Sequence, residues 1–290
     1  MKVLLLFVNV FYNPLQNFWE GKTLAKIQSI LLTAAFVLSM ALATVNHYFS
    51  ILHPNVFGKI HFLQSIEITF TLLLFFEMIS LVFVIPNSIA NSIGKQIEIL
   101  SLVLLRSSFK EFSQFNFEIP IQSQLQSVFK MVADGIGSIF IFLLLSLYYG
   151  LQQHKSITED GGSKEQFIIL KKCIALLVLI ALFTLQFTDI IHMFKTGMWT
   201  QSVDKFYMIL IFADLLFMLA AFRYTLHYPD IFRYSAFVLV TVFIRLSLMV
   251  PVYYNAALGI FSVLFAISVV YFHNLFTQGR LTYIKNKNLN

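Results

Sequence analysis

Charge is what this chain lacks most. Only 12% of its 290 residues are Asp, Glu, Lys or Arg, about half the roughly 25% of a soluble domain. So few charges cannot cover a water-facing surface, which excludes an ordinary soluble globule. Cysteine is almost missing too. Cys173 stands alone, so no internal disulfide and no multi-cysteine metal site can form. Familiar catalytic signatures are absent: no G-x-S-x-G, no H-E-x-x-H, no P-loop and no Rossmann glycine pattern. The Gly161-Gly162 pair sits in a charged stretch and reads as a turn. No loop is large enough to form a separate soluble domain.

What is there is apolar. Hydrophobic residues make up 58% of the chain, and mean hydropathy is +0.79. Apolar runs repeatedly reach about 20 residues, the length that spans a bilayer. They show no period-two alternation, which argues against a barrel. The expected fold is therefore an all-α integral membrane protein, a polytopic bundle of about eight transmembrane helices. Their limits fall near 28–50, 62–86, 89–110, 130–152, 167–192, 206–224, 231–251 and 256–277. The third carries Lys95, Glu98 and Arg106, so its place is either the interface or the bundle interior. The opening "MKVLLLFVNVFYNPLQ" has a lysine and a short apolar core, but Asn9 interrupts it and no small-x-small cleavage site follows. Residues 1–27 are read as a retained interfacial segment.

The clearest hydrophilic loop, 153–166, divides two four-helix halves, 28–152 and 167–277, with a tail at 278–290. With the N-terminus inside, 13 Lys and Arg fall on inner segments and 6 on outer ones. Both termini are then expected to be cytoplasmic, in an inner or plasma membrane. The formal charge of +6 is scattered among loops, so it serves topology rather than nucleic acid, which is not an expected partner.

The halves resemble each other faintly. "GSIFIFLLLSLYYG" aligns with "GIFSVLFAISVVYF", matching Gly137 to Gly259, Ser146 to Ser268 and Tyr149 to Tyr271. The second and sixth helices each carry a mid-span acid, Glu77 and Asp214. The third and seventh carry Arg106 and Arg245. An even number of spans per half would make such a repeat parallel.

Six acids fall within the spans: Glu67, Glu77, Glu98, Asp134, Asp189 and Asp214. A charge at bilayer depth costs about 2.5–3.5 kcal/mol on insertion scales, so each must be paired, protonated or wet. At 1.5 Å per residue, Glu67 and Arg106 lie about 8 and 6 Å below the outer ends of neighbouring helices. Asp214 and Arg245 lie about 13 and 9 Å down. Both couples are expected to be structural ion pairs. Glu77 and Glu98 come out at about 18–22 Å, either sharing one site or held separately, with Lys95 able to snorkel to Glu98.

Asp189 and His192 are three residues apart and share one helical face, where the acid could orient the imidazole. With Asn46, His47 and Asp134 they would gather in an outer vestibule, or else be ordinary interfacial polarity. His47 and His192 form the one conceivable haem pair, but they sit near the surface, and no cofactor or metal is expected. Asp230, beside Pro229, fits a cap for the seventh helix.

"IEITFTLLLFFEMISLVFVIPNS" resembles the second helix of voltage-sensor domains, with Glu67 and Glu77 ten residues apart, Pro86 after them, and Glu98 in the place of an acid on the third helix. It departs from that family in three ways. No later helix has arginines at every third position, Leu74 stands where an aromatic is usual, and no pore-filter sequence follows.

The expected function is conduction or transport of a small ion or solute, proton coupling included. The pathway would use Glu77, Glu98, Asp134, Asp189, His192 and His47, and Glu67, Arg106, Asp214 and Arg245 would serve as structural pairs. The rival is a non-transporting membrane sensor or assembly scaffold whose ion pairs only fix packing. An intramembrane enzyme is the third reading, and catalysis is the less expected outcome. Expected partners are the lipid bilayer, the small ion or solute, and a further copy of the chain or a partner subunit.

Overall fold

The computed structural model describes residues 2–49, 63–86, 89–113, 115, 120–152, 161–196, 202–223 and 228–287. Nearly all of them are helical, with no strand among the described residues. The helices are α1 (Lys2–Trp19), α2 (Lys22–Phe49), α3 (Gln64–Val84), α4 (Ile89–Ser113), α5 (Leu125–Leu151), α6 (Gly161–Thr196), α7 (Val203–Phe222), α8 (Tyr228–Met249) and α9 (Tyr254–Lys287). Long apolar segments with few breakers leave the backbone no better way to satisfy its own N–H and C=O groups.

Among the described residues, seven helices are long and apolar enough to cross a membrane, not eight. The exception is α4. It carries Lys95, Glu98, Arg106, Lys110 and Glu111, too many charges for an apolar span. It packs against α3, α5, α8 and α9. The bundle turns apolar side chains outward. Leu38, Phe142, Ile180 and Phe212 are each 61–64% exposed, a surface suited to hydrocarbon rather than water.

The N-terminal segment is helical and lies against the bundle. Tyr12 Oη donates to the Phe83 carbonyl at 3.1 Å and Trp19 Nε1 to Ser80 Oγ at 3.0 Å. Lys172 Nζ donates to Asn13 Oδ1 at 2.8 Å. These bonds fasten α1 to α3 and α6 near the C-terminal end of α3; this is called the α1 end of the bundle, and the opposite end the far end.

Two apolar cores organise the rest. One is built from α4, α5, α8 and α9, around Ile97, Leu100, Ile141, Val240 and Val263. The other joins α3, α6 and α7 with Tyr12, around Val82, Leu182 and Leu210. Contacts run in the same order through both parts of the chain: α2 on α3, α3 on α4, α4 on α5, then α6 on α7, α7 on α8, α8 on α9. Across the middle, α4 meets α8 and α5 meets α9.

Helices α5 and α9 run parallel. Asn255 Nδ2 donates to Asp134 near their starts, and Asn274 Nδ2 donates to the Leu151 carbonyl near their other ends. Gly137 permits their close approach, since a Cβ there would lie 2.7 Å from that of Ala256. The short α8–α9 connection holds Tyr253 at φ 78°, a left-handed conformation unfavourable for a bulky residue. It brings Asn255 onto Asp134.

Candidate functional site: a buried column of charges

Four helices contribute two enclosed ion pairs. On α8, Arg245 is 1% exposed, and its Nη2 and Nε lie 2.8 and 3.0 Å from Asp214 Oδ2 on α7. On α4, Arg106 Nη1 lies 2.9 Å from Glu77 Oε2 on α3. Both side chains of that pair are nearly buried. Tyr207 of α7 is buried among them, with Arg106, Glu77 and Arg245 as its charged neighbours. Toward the far end, Lys110 Nζ stands 3.9 Å from Glu67 Oε1, both partly exposed. Toward the α1 end, Asp214 borders a small, mainly apolar cavity whose lining also includes Gln96, Lys171, Tyr234 and Phe237. Ionisable and polar groups thus follow one another along the length of the bundle.

The expected Glu67–Arg106 pair does not form. Arg106 reaches Glu77, and Glu67 is left to Lys110. Comparing Cα depths misjudged the register because helical side chains lean toward the N-terminus of their own helix. In an antiparallel pair they lean in opposite directions. Arg106 points back toward the α1 end while Glu77 points toward the far end, so each closes distance on the other. Asp214 and Arg245 do the same on α7 and α8. The sequence separations are 29 and 31 residues. That spacing, an acid and an arginine about thirty residues on across a helical hairpin, is a signal the sequence did carry.

Glu77 and Glu98 do not share a site. Glu98 lies at the bundle edge, where Lys95 Nζ and Tyr149 Oη both reach it, at 2.5 and 2.6 Å. Its side chain is 32% exposed, so Lys95 meets it from one helical turn away.

Of the groups expected in an outer vestibule, Asp134 and Asp189 are held by different partners on different helices. Asp134 is fully buried. Asn255 Nδ2 donates to its Oδ1 at 3.0 Å, and Ser107 stands beside it. Asp189 is held from the α7 side. Its two oxygens accept from the Ser202 backbone N–H at 2.8 Å and hydroxyl at 2.7 Å, which ties α6 to the residue preceding α7. A carboxylate at a helix start meets unpaired N–H groups and the favourable end of the helix dipole. His192 is exposed while Asp189 is buried, so the i, i+3 pair splits between two surroundings. The side chains of Asn46 and His47, and with them the conceivable haem pair, lie outside the described residues. Among the described residues no group of three or more His, Cys, Asp or Glu could hold a metal ion.

Asp230 falls inside the first turn of α8, which begins at Tyr228, so it is not the expected cap. Its Oδ1 instead faces His273 Nε2 of α9 at 3.9 Å.

Sequence reasoning missed several members of the site. Lys171 entered only the topology count, yet it is 3% exposed and sits 4.7 Å above the Phe167 ring. Gln96, Tyr207 and Asn255 carried no signal, because polar uncharged residues within apolar helices are common and only packing shows which are interior.

Compared with known proteins, the chain significantly matches no family model, no curated protein and no solved structure.

Proposed function

We propose that the chain is a multi-pass protein of the inner or plasma membrane that passes a small ion, with protons included, along the column of Glu77, Arg106, Tyr207, Asp214 and Arg245. The apolar outward faces of seven helices support the membrane reading. In this reading α4 crosses too, with Arg106 screened from lipid by its neighbours, and both termini are cytoplasmic. The observation that carries the transport reading is the continuity of the column. Charges from four helices line up from the half-exposed Glu67–Lys110 pair to the small cavity lined in part by Gln96, Lys171 and Tyr234 at the α1 end. Buried ionisable groups at membrane depth are expensive, and they persist chiefly where ions or protons move. Asp134, Asp189 and Glu98 stand off this line and take structural roles in it.

A second reading has its own observation. Glu77 and Asp214 are each already met by an arginine. A sensor or assembly subunit needs no more than that, since paired charges on neighbouring helices fix their register. Purified protein in liposomes separates the two. Transport predicts that Glu77→Gln abolishes proton or cation flux while the fold survives. A scaffold predicts no flux above empty vesicles for the unaltered chain, and co-purification of a stoichiometric partner.

A further inference from the structure

The cavity beside Asp214 has features the ion pairs do not explain. It measures about 30 Å³ and lies between α4, α6, α7 and α8. Gln96 is 3% exposed, and its Nε2 donates to Ser92 Oγ at 3.3 Å. Its Oε1 has no hydrogen-bond partner. Exchanging the amide's two ends would still leave one polar atom facing the cavity. Tyr234 is 1% exposed. The Arg233 guanidinium lies 5.6 Å from its ring centroid, but no well-aligned hydrogen bond reaches the Tyr234 hydroxyl. Two residues that line one void each carry a buried polar atom without a well-aligned partner, an arrangement that suits internal water even in a mainly apolar lining. A void lined by carbon alone would stay dry. The size is right as well, because one water needs roughly 10–15 Å³ of such space.

We infer that this cavity is a water-binding site, holding one or two molecules that complete Gln96 Oε1 and the Tyr234 hydroxyl and link Lys171 to Asp214. Resting on the transport reading above, these waters form the end of the column nearest α1. They carry exchange between the Asp214–Arg245 pair and that face of the bundle. Gln96 and Tyr234 are positioning residues that hold the waters in place.

The test has two arms. A high-resolution structure of the unaltered chain in lipid nanodiscs should show density within hydrogen-bonding distance of the Gln96 amide and the Tyr234 hydroxyl; an empty cavity there overturns the site. Thr241 lines the void, and its hydroxyl donates only to the Val238 carbonyl, so Thr241→Ile should fill the space with carbon. Proton flux into liposomes should then fall by roughly a factor of ten, as for the loss of one good hydrogen-bonded link, with the melting temperature little changed. If that variant does not fold, Ser92→Val is its substitute. Unchanged flux with the water displaced overturns the link to the column. If the unaltered chain passes no protons at all, the transport reading fails, and the density still decides the water site.

Discussion

Glu77 and Glu98 sit on consecutive helices and come out at similar depth along the sequence, yet their surroundings are opposite. Glu77 is enclosed, with Arg106 from another helix as its partner. Glu98 lies at the edge, where Lys95 of its own helix and Tyr149 hold it half in the open. The same contrast separates Asp214, locked to Arg245, from Glu67, loosely facing Lys110. A carboxylate's role here follows from where its partner comes from. A partner on a different helix, out of contact with water, commits both helices to one register. A partner one turn away, still wet, commits nothing.

Breaking the most enclosed pair should have the largest effect. Arg245→Met leaves Asp214 buried without its cation and should cost about 3–5 kcal/mol, read as a large fall in the melting temperature in detergent. Adding Asp214→Leu should restore much of it, because an apolar pair of similar volume replaces a buried ion pair with little loss. Should the single variant melt no lower than a Lys95 variant, the contrast between enclosed and edge pairs is empty.

Glu77→Gln comes next. It removes the negative charge but keeps a hydrogen-bond acceptor for Arg106, so the expected loss is about 1.5–3 kcal/mol. This is also the variant expected to stop flux in liposomes. Asp134→Asn sharpens the comparison from another side. Asp134 is as buried as any acid, but its neighbours are the neutral Asn255 and Ser107. Because no ion pair is broken, the change should stay within about 1 kcal/mol. A loss as large as that of Arg245→Met would mean that burial, not pairing, sets the scale. The smallest effect belongs to Lys95→Ala. Exposed pairs contribute about 0–1 kcal/mol and fade with salt, so its melting point should differ little from the unaltered chain at low salt and not at all at high salt.

Much of the architecture could be read from the chain. The eight segments foreseen all exist as helices, seven of them apolar enough to span a membrane, with ends displaced by up to six residues except for α9, which runs ten residues further; the charged character of the third already set it apart. Asp214 with Arg245 could be matched as well, since both depth and neighbouring position agreed. Other parts were out of reach. The partner of Arg106 depended on the lean of side chains in antiparallel helices. Asp189 needed the position of Ser202, thirteen residues on, across a turn whose path is not written in its residues. Lys171 and Gln96 became members of a site only when four helices closed around them.

Composition alone determined the helical form this chain takes and the apolar faces it turns outward. Runs of apolar residues with few charges leave no alternative in lipid, and that constraint acts locally, residue by residue. Only the tertiary structure decided which acid meets which arginine and where a water-sized gap remains. Those outcomes depend on how helices far apart in the chain rotate, tilt and lean against each other, and no single segment holds that information.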